Sequence, residues 1–141
     1  MNPPSFIHSS LLVALGGGAG AWLRFLTGTL WSRAIGPVAA SAFPWATLSI
    51  NVLGSFAMGL LAGGLARHGA ATSGLGGEGW RLLLGVGVLG GFTTFSAFSL
   101  EFVLLVERGT PGMAMLYVTL SLAGAFAGVF GGLALMRGVF A

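Results

Sequence analysis

Four apolar runs, each long enough to cross a lipid bilayer, leave this chain little freedom in how it folds. A hydrocarbon core of about 30 Å takes about twenty helical residues. The sequence offers Ile7–Leu30, Pro44–Leu65, Trp80–Val106 and Met113–Met136. Only 6% of the 141 residues are charged, against about 25% in a soluble domain, so the chain cannot cover a surface that faces water. The expectation is an all-α membrane protein with four transmembrane helices. The spans use most of the length, which makes residues 1–141 a single integral membrane domain.

The linkers carry turn chemistry. Ile35-Gly36-Pro37 breaks the first loop, and Pro44 suits the first turn of the second span. The Gly-, Ser- and Thr-rich stretch from Arg67 to Gly79 reads as a loop. In Glu107-Arg108-Gly109-Thr110-Pro111, Gly109 can end the third helix while Thr110 and Pro111 start the fourth. Met1 to Ser5 lack the positive charge of a secretory leader and the first apolar run is too long for one, so it reads as a retained span.

The charges say more about orientation than about chemistry. All six basic residues are Arg and all three acids are Glu. An even number of spans puts Arg67, Arg81 and Arg137 on one side of the membrane and Arg33 and Arg108 on the other, with Arg24 inside the first span near that second side. The positive-inside rule therefore has almost nothing to act on. Either the chain inserts both ways round, for which an antiparallel dual-topology homodimer is the natural assembly, or so few charges conceal a weak single preference. Scattered arginines do not make a nucleic-acid surface, which needs basic patches alongside aromatics. Cysteine is absent, which excludes disulfides and thiolate metal sites.

Within the third span lies Gly90-Gly91-Phe92-Thr93-Thr94-Phe95-Ser96-Ala97-Phe98-Ser99. Two adjacent glycines followed by two β-branched threonines are poor helix material, so the third helix is expected to break at mid-membrane. Broken backbone is tolerated in hydrocarbon only where protein or a water-filled cavity satisfies it, and such breaks recur where ions bind. Phe95, Phe98 and Phe102 follow at helical spacing, with hydroxyls from Thr93, Thr94, Ser96 and Ser99 nearby. A ring has a positive edge, which can approach an anion without holding it as a full charge would, and that suits conduction. Glu101, near the far end of this span, reads as a solvated surface group, with a role in a vestibule as the alternative.

Other spans add polar positions. Thr47, Asn51 and Ser55 form one stripe at i, i+4, i+8 on the second span. The Asn51 amide either joins two helices or donates to a dehydrated anion. Arg24 is either a cation snorkelling to a helix end or an anion attractor at a pore mouth. Tyr117 and Ser121 lie in line with Gly124 and Gly128 on the fourth span, as a polar track or as ordinary interhelical glue. The small-residue spacings Gly16/Gly20, Gly59/Gly63, Gly87/Gly91 and Gly124/Gly128/Gly132 point to close helix packing. No catalytic constellation emerges, so the chain does not read as an enzyme. The glycines of the third span follow no strand and precede no ribose-binding acid, which rejects a nucleotide site. His8 and His68 read as solvated or interfacial.

The third-span stretch resembles the GGxTTFSTFS signature of the Fluc (CrcB) fluoride channels. Gly16-Gly17-Gly18-Ala19-Gly20-Ala21-Trp22-Leu23-Arg24 resembles that family's GGxxGAxxR first-helix pattern, and Asn51-Val52-Leu53-Gly54-Ser55-Phe56 its N-x-x-G-S-F pattern. The one departure is Ala97, where the family usually has Thr, which removes one hydroxyl. The resemblance implies a passive fluoride channel of the bacterial inner membrane, built as an antiparallel homodimer with two pores. It implies a structural Na⁺ held by the carbonyls of Gly90 and Thr93, and a fluoride path past Asn51, Phe95, Phe98 and Arg24, with Tyr117, Ser121, Ser96 and Thr94 contributing hydroxyls. The partners implied are fluoride, a second copy of the chain and lipid, without nucleic acid. Two rivals stand beside it. A small dual-topology drug or cation exporter would need an acid at mid-depth, and a non-transporting scaffold needs only the glycine pairs.

Overall fold

A computed structural model describes residues 5–68 and 74–138. Helix α1 (Phe6–Ile35) opens on Ser5, whose hydroxyl accepts the His8 N–H. It runs five residues past the expected end at Leu30 and stops at Gly36, which has φ 80°. The first loop is not plain loop: Pro37 occupies the first turn of a short helix α2 (Pro37–Ala42), as its fixed φ favours. Helix α3 (Trp45–His68) is the second span. The third begins as α4 (Gly76–Trp80), continues through π-helical turns over Arg81–Leu89, and ends its first half as α5 (Gly90–Phe92). Its second half is α6 (Phe95–Glu107), and α7 (Pro111–Gly138) is the fourth span. Part of the expected Arg67–Gly79 loop, residues 69–73, lies outside the described residues, and helix already resumes at Gly76. Gly109, at φ 74°, makes the turn between α6 and α7. Four stretches, Phe6–Ile35, Trp45–Arg67, Gly76–Glu107 and Pro111–Gly138, are long and apolar enough to cross a membrane.

Helices α3 and α7 run parallel and pack tightly. A Cβ on Gly124 would stand 2.7 Å from Val52 Cγ2, one on Gly128 3.0 Å from the Val52 carbonyl oxygen, and one on Gly63 2.7 Å from Met136 Cβ. Helix α1 packs the same way on the first half of the third span, where Gly87 would place a Cβ 2.9 Å from Gly16 Cα. In lipid there is no hydrophobic drive between helices, so this close approach supplies the packing. Phe43, Leu105, Ala114 and Tyr117 make the buried cluster, with Leu48, Phe98 and Phe102 against it.

Candidate functional site

Thr93 and Thr94 are extended, at φ/ψ −74°/157° and −152°/123°. The third span is therefore interrupted near its middle, where the Gly-Gly-Phe-Thr-Thr sequence predicts it. Each half is capped from within the break. Thr93 Oγ1 donates to the Leu89 carbonyl at 2.8 Å, and Thr94 Oγ1 accepts the Ala97 N–H at 3.2 Å. The backbone of Thr94 is satisfied from α3. Its N–H donates to Asn51 Oδ1 at 2.9 Å, and its carbonyl accepts from Asn51 Nδ2 at 3.0 Å. The Asn51 side chain thus acts as a peptide group spliced into the gap. An unpaired buried backbone group would cost about 1–3 kcal/mol, and Asn51 spares two.

This arrangement leaves other backbone groups without helical partners. In an unbroken helix the Gly90 carbonyl would accept from the Thr94 N–H, which is committed to Asn51. The Thr93 carbonyl would accept from the Ala97 N–H, which is committed to the Thr94 hydroxyl. Carbonyl oxygens are the ligands that hard cations take. Among the described residues no group of three or more His, Cys, Asp or Glu is placed to hold a metal.

Beside the break is a cavity of about 310 Å³. It brings together Asn51 and Ser55 from α3, Thr93 and Thr94 from the break, Phe95 and Phe98 from α6, and Ser121 from α7. The Phe95 and Phe98 ring centroids are 5.6 Å apart. Phe95 is otherwise 77% exposed, while Phe98 packs on Tyr117 with centroids 5.1 Å apart. Ser121 is 6% exposed, and its Oγ is buried without a hydrogen-bond partner. Asn51 has two amide hydrogens, of which Thr94 takes one. The cavity thus offers a hydroxyl, an amide hydrogen and ring edges, with no ionised group in its lining. That set suits a small dehydrated anion that must also leave.

Glu101 is only half-buried, but it is tied into the bundle in a way its position did not show, which favours the vestibule alternative over a plain surface group: Oε1 accepts from Thr47 Oγ1 at 2.7 Å and Oε2 from Tyr117 Oη at 2.6 Å. Tyr117 is fully buried. The same carboxylate lines a second cavity of about 240 Å³ between Trp31, Trp45 and Arg108, where Arg108 Nη1 donates to the Ser41 carbonyl at 2.6 Å. The stripe Thr47, Asn51 and Ser55 therefore faces the third span along its length, one member to Glu101, one to the break and one to the cavity. Tyr117 meets this cavity through Phe98 and through Ser121, one turn further along α7, and the Ser96 hydroxyl stands 3.3 Å from that of Thr94. Arg24 lines neither cavity.

Residues 11–133 match the family described as CrcB-like protein, Camphor Resistance (CrcB). A protein of Novosphingobium aromaticivorans called fluoride-specific ion channel FluC is 57% identical over 131 residues, covering 93% of this chain and 98% of its own. Proteins of the same name from Phenylobacterium zucineum and Erythrobacter litoralis are 54% and 50% identical over 135 residues each. Each match covers 96% of this chain, with 100% and 95% of the relative.

Proposed function

The chain belongs to the CrcB family, and from that premise we propose that it is a passive fluoride-selective channel, a multi-pass protein of the bacterial plasma membrane and not an enzyme. The observation that carries the proposal is the cavity in which the unpartnered Ser121 hydroxyl, the Asn51 amide and the Phe95 and Phe98 rings converge without an ionised group. Fluoride is small and strongly hydrated, so donors must replace its water. A fixed positive charge at each step would trap it. Hydroxyls, one amide and ring edges replace water without that depth of binding.

The functional unit we propose is an antiparallel dual-topology homodimer with two pores. Phe95 touches Phe98 but leaves 77% of its surface uncovered by its own chain, which supports a wall completed by a second copy. The near balance of arginines between the two sides supports insertion in both orientations. A structural Na⁺ held by the Gly90 and Thr93 carbonyls fits the backbone oxygens that the break leaves without helical partners. When bound, it would lend a positive field near the path without standing in it. Arg24, Thr94, Ser96 and Tyr117 are proposed as further groups along that path. Neutral HF enters a cell and dissociates, and the inside-negative potential then drives fluoride out through a passive pore.

Efflux from proteoliposomes, followed with a fluoride electrode, tests the proposal. A channel releases fluoride rapidly once a K⁺ ionophore relieves the counter-voltage, with no proton gradient. Fluoride efflux that appears only with a proton gradient would refute a passive channel. No efflux would indicate a scaffold.

A further inference from the structure

A separate feature lies at the end of the bundle where α3 and α7 finish. Because these helices run parallel and Gly63 lets α3 close on Met136, their last turns arrive side by side. Arg67 and Arg137 then line one cavity of about 220 Å³, with Gly63, Ala66, Leu133 and Met136 as its apolar walls. Arginine in the last turn of a helix ordinarily complements the helix dipole. That accounts for one cation at each end, but not for a shared cavity with two cations and an apolar lining.

We propose that this cavity binds the phosphodiester of an anionic phospholipid. A guanidinium is a planar fork of five donors that matches phosphate oxygens, so a bond to one neighbour leaves donors for a phosphate. Two such groups at the end of a span lie at the depth of lipid headgroups. The apolar walls continue inward from them, which suits the glycerol and first acyl carbons below a headgroup. Basic pockets between transmembrane helices are known hosts for anionic headgroups. The site is distinct from the anion cavity and shares no residue with it, so the proposal stands apart from the channel reading.

Native mass spectrometry of the detergent-purified full chain tests it, with phosphatidylglycerol as probe and phosphatidylcholine as comparator. Retention of phosphatidylglycerol should exceed that of phosphatidylcholine by roughly tenfold to thirtyfold, taking about 1 kcal/mol for each arginine. Arg67→Gln with Arg137→Gln should erase the difference, Arg67→Lys with Arg137→Lys should keep part of it, and Arg33→Gln at the opposite end should keep all of it. Circular dichroism checks that each variant is folded, and single Arg137→Gln decides the matter if the double variant is not. Equal retention of the two lipids, or wild-type selectivity in the glutamine variants, would overturn the proposal. Displacement of phosphatidylglycerol by inorganic phosphate at equal concentration would overturn it too, assigning the cavity to a free anion.

Discussion

Asn51→Leu separates two roles that the asparagine can hold. Leucine has nearly the same size and shape but neither donates nor accepts, so it removes both bonds to the Thr94 backbone. The Thr94 N–H and carbonyl then remain inside the bundle, at about 1–3 kcal/mol each if nothing replaces the partner. Interhelical polar contacts in membranes average closer to 0.6 kcal/mol, because the unfolded chain in lipid also finds partners. The loss expected for the pair is therefore about 1–4 kcal/mol, or between one and three powers of ten in the folding equilibrium. The comparison variant is Ser55→Ala, one turn along the same stripe and lining the same cavity. Unfolding midpoints in mixed detergent micelles should fall clearly for Asn51→Leu and stay within about 0.5 kcal/mol of wild type for Ser55→Ala. If Asn51→Leu lost efflux while keeping the wild-type midpoint, the asparagine would be an anion ligand only, and its role in sealing the break would be refuted.

Three further outcomes follow from the same geometry. Phe95→Ile and Phe98→Ile should each slow fluoride efflux about fivefold, the effect of losing ring-edge electrostatics worth about 1 kcal/mol, with elution on size exclusion unchanged; wild-type rates in both would remove the rings from the mechanism. Gly20→Val should cost about 1–3 kcal/mol in the unfolding midpoint or prevent folding, since its Cβ would overlap the Val88 carbonyl and stand 2.8 Å from the Phe92 nitrogen, whereas Gly18→Ala, with nothing within 4 Å, should be nearly neutral. Tyr117→Phe keeps the ring between Phe43 and Phe98 but takes one donor from Glu101; a double-mutant cycle with Glu101→Gln should give a coupling of about 1.5–3 kcal/mol, and additivity would mean that the bond carries no weight.

Much of the architecture was legible because lipid removes options. Length and apolarity mark the four spans, and each glycine series marks a face that a neighbouring helix closes on, Gly16 and Gly87 on one side and Gly124, Gly128 and Gly132 on the other. The break was legible because Gly90-Gly91 and Thr93-Thr94 weaken the helix at one point. What escaped notice depended on distance along the chain. Glu101 looks solvated from its place near a span's end, yet its donors come from residues 54 and 16 positions away. Helix α2 escaped because six residues give too short a pattern to read, with Pro37 as its only signal. The π-helical turns over Arg81–Leu89 left no mark in a stretch whose apolar residues also suit an α-helix.

The choice of asparagine at position 51 follows from what the break requires. Among the groups the gap uncovers are the N–H and the carbonyl of one residue, Thr94. Only a primary amide can answer both from a single short side chain while remaining neutral. A serine has one oxygen and cannot span the two. A lysine or arginine could donate to the carbonyl but has nothing to accept the N–H, and its charge beside Phe95 would hold an anion in place. Asparagine closes the gap, keeps a hydrogen for the cavity, and takes the Thr94 N–H away from Gly90. By occupying that N–H it denies the Gly90 carbonyl its helical partner, so the seal and the proposed cation site depend on one hydrogen bond. Asn51→Leu should therefore weaken the cation site as well. Added Na⁺ should raise the unfolding midpoint of wild type by more than it raises that of the variant, and equal shifts would separate the two.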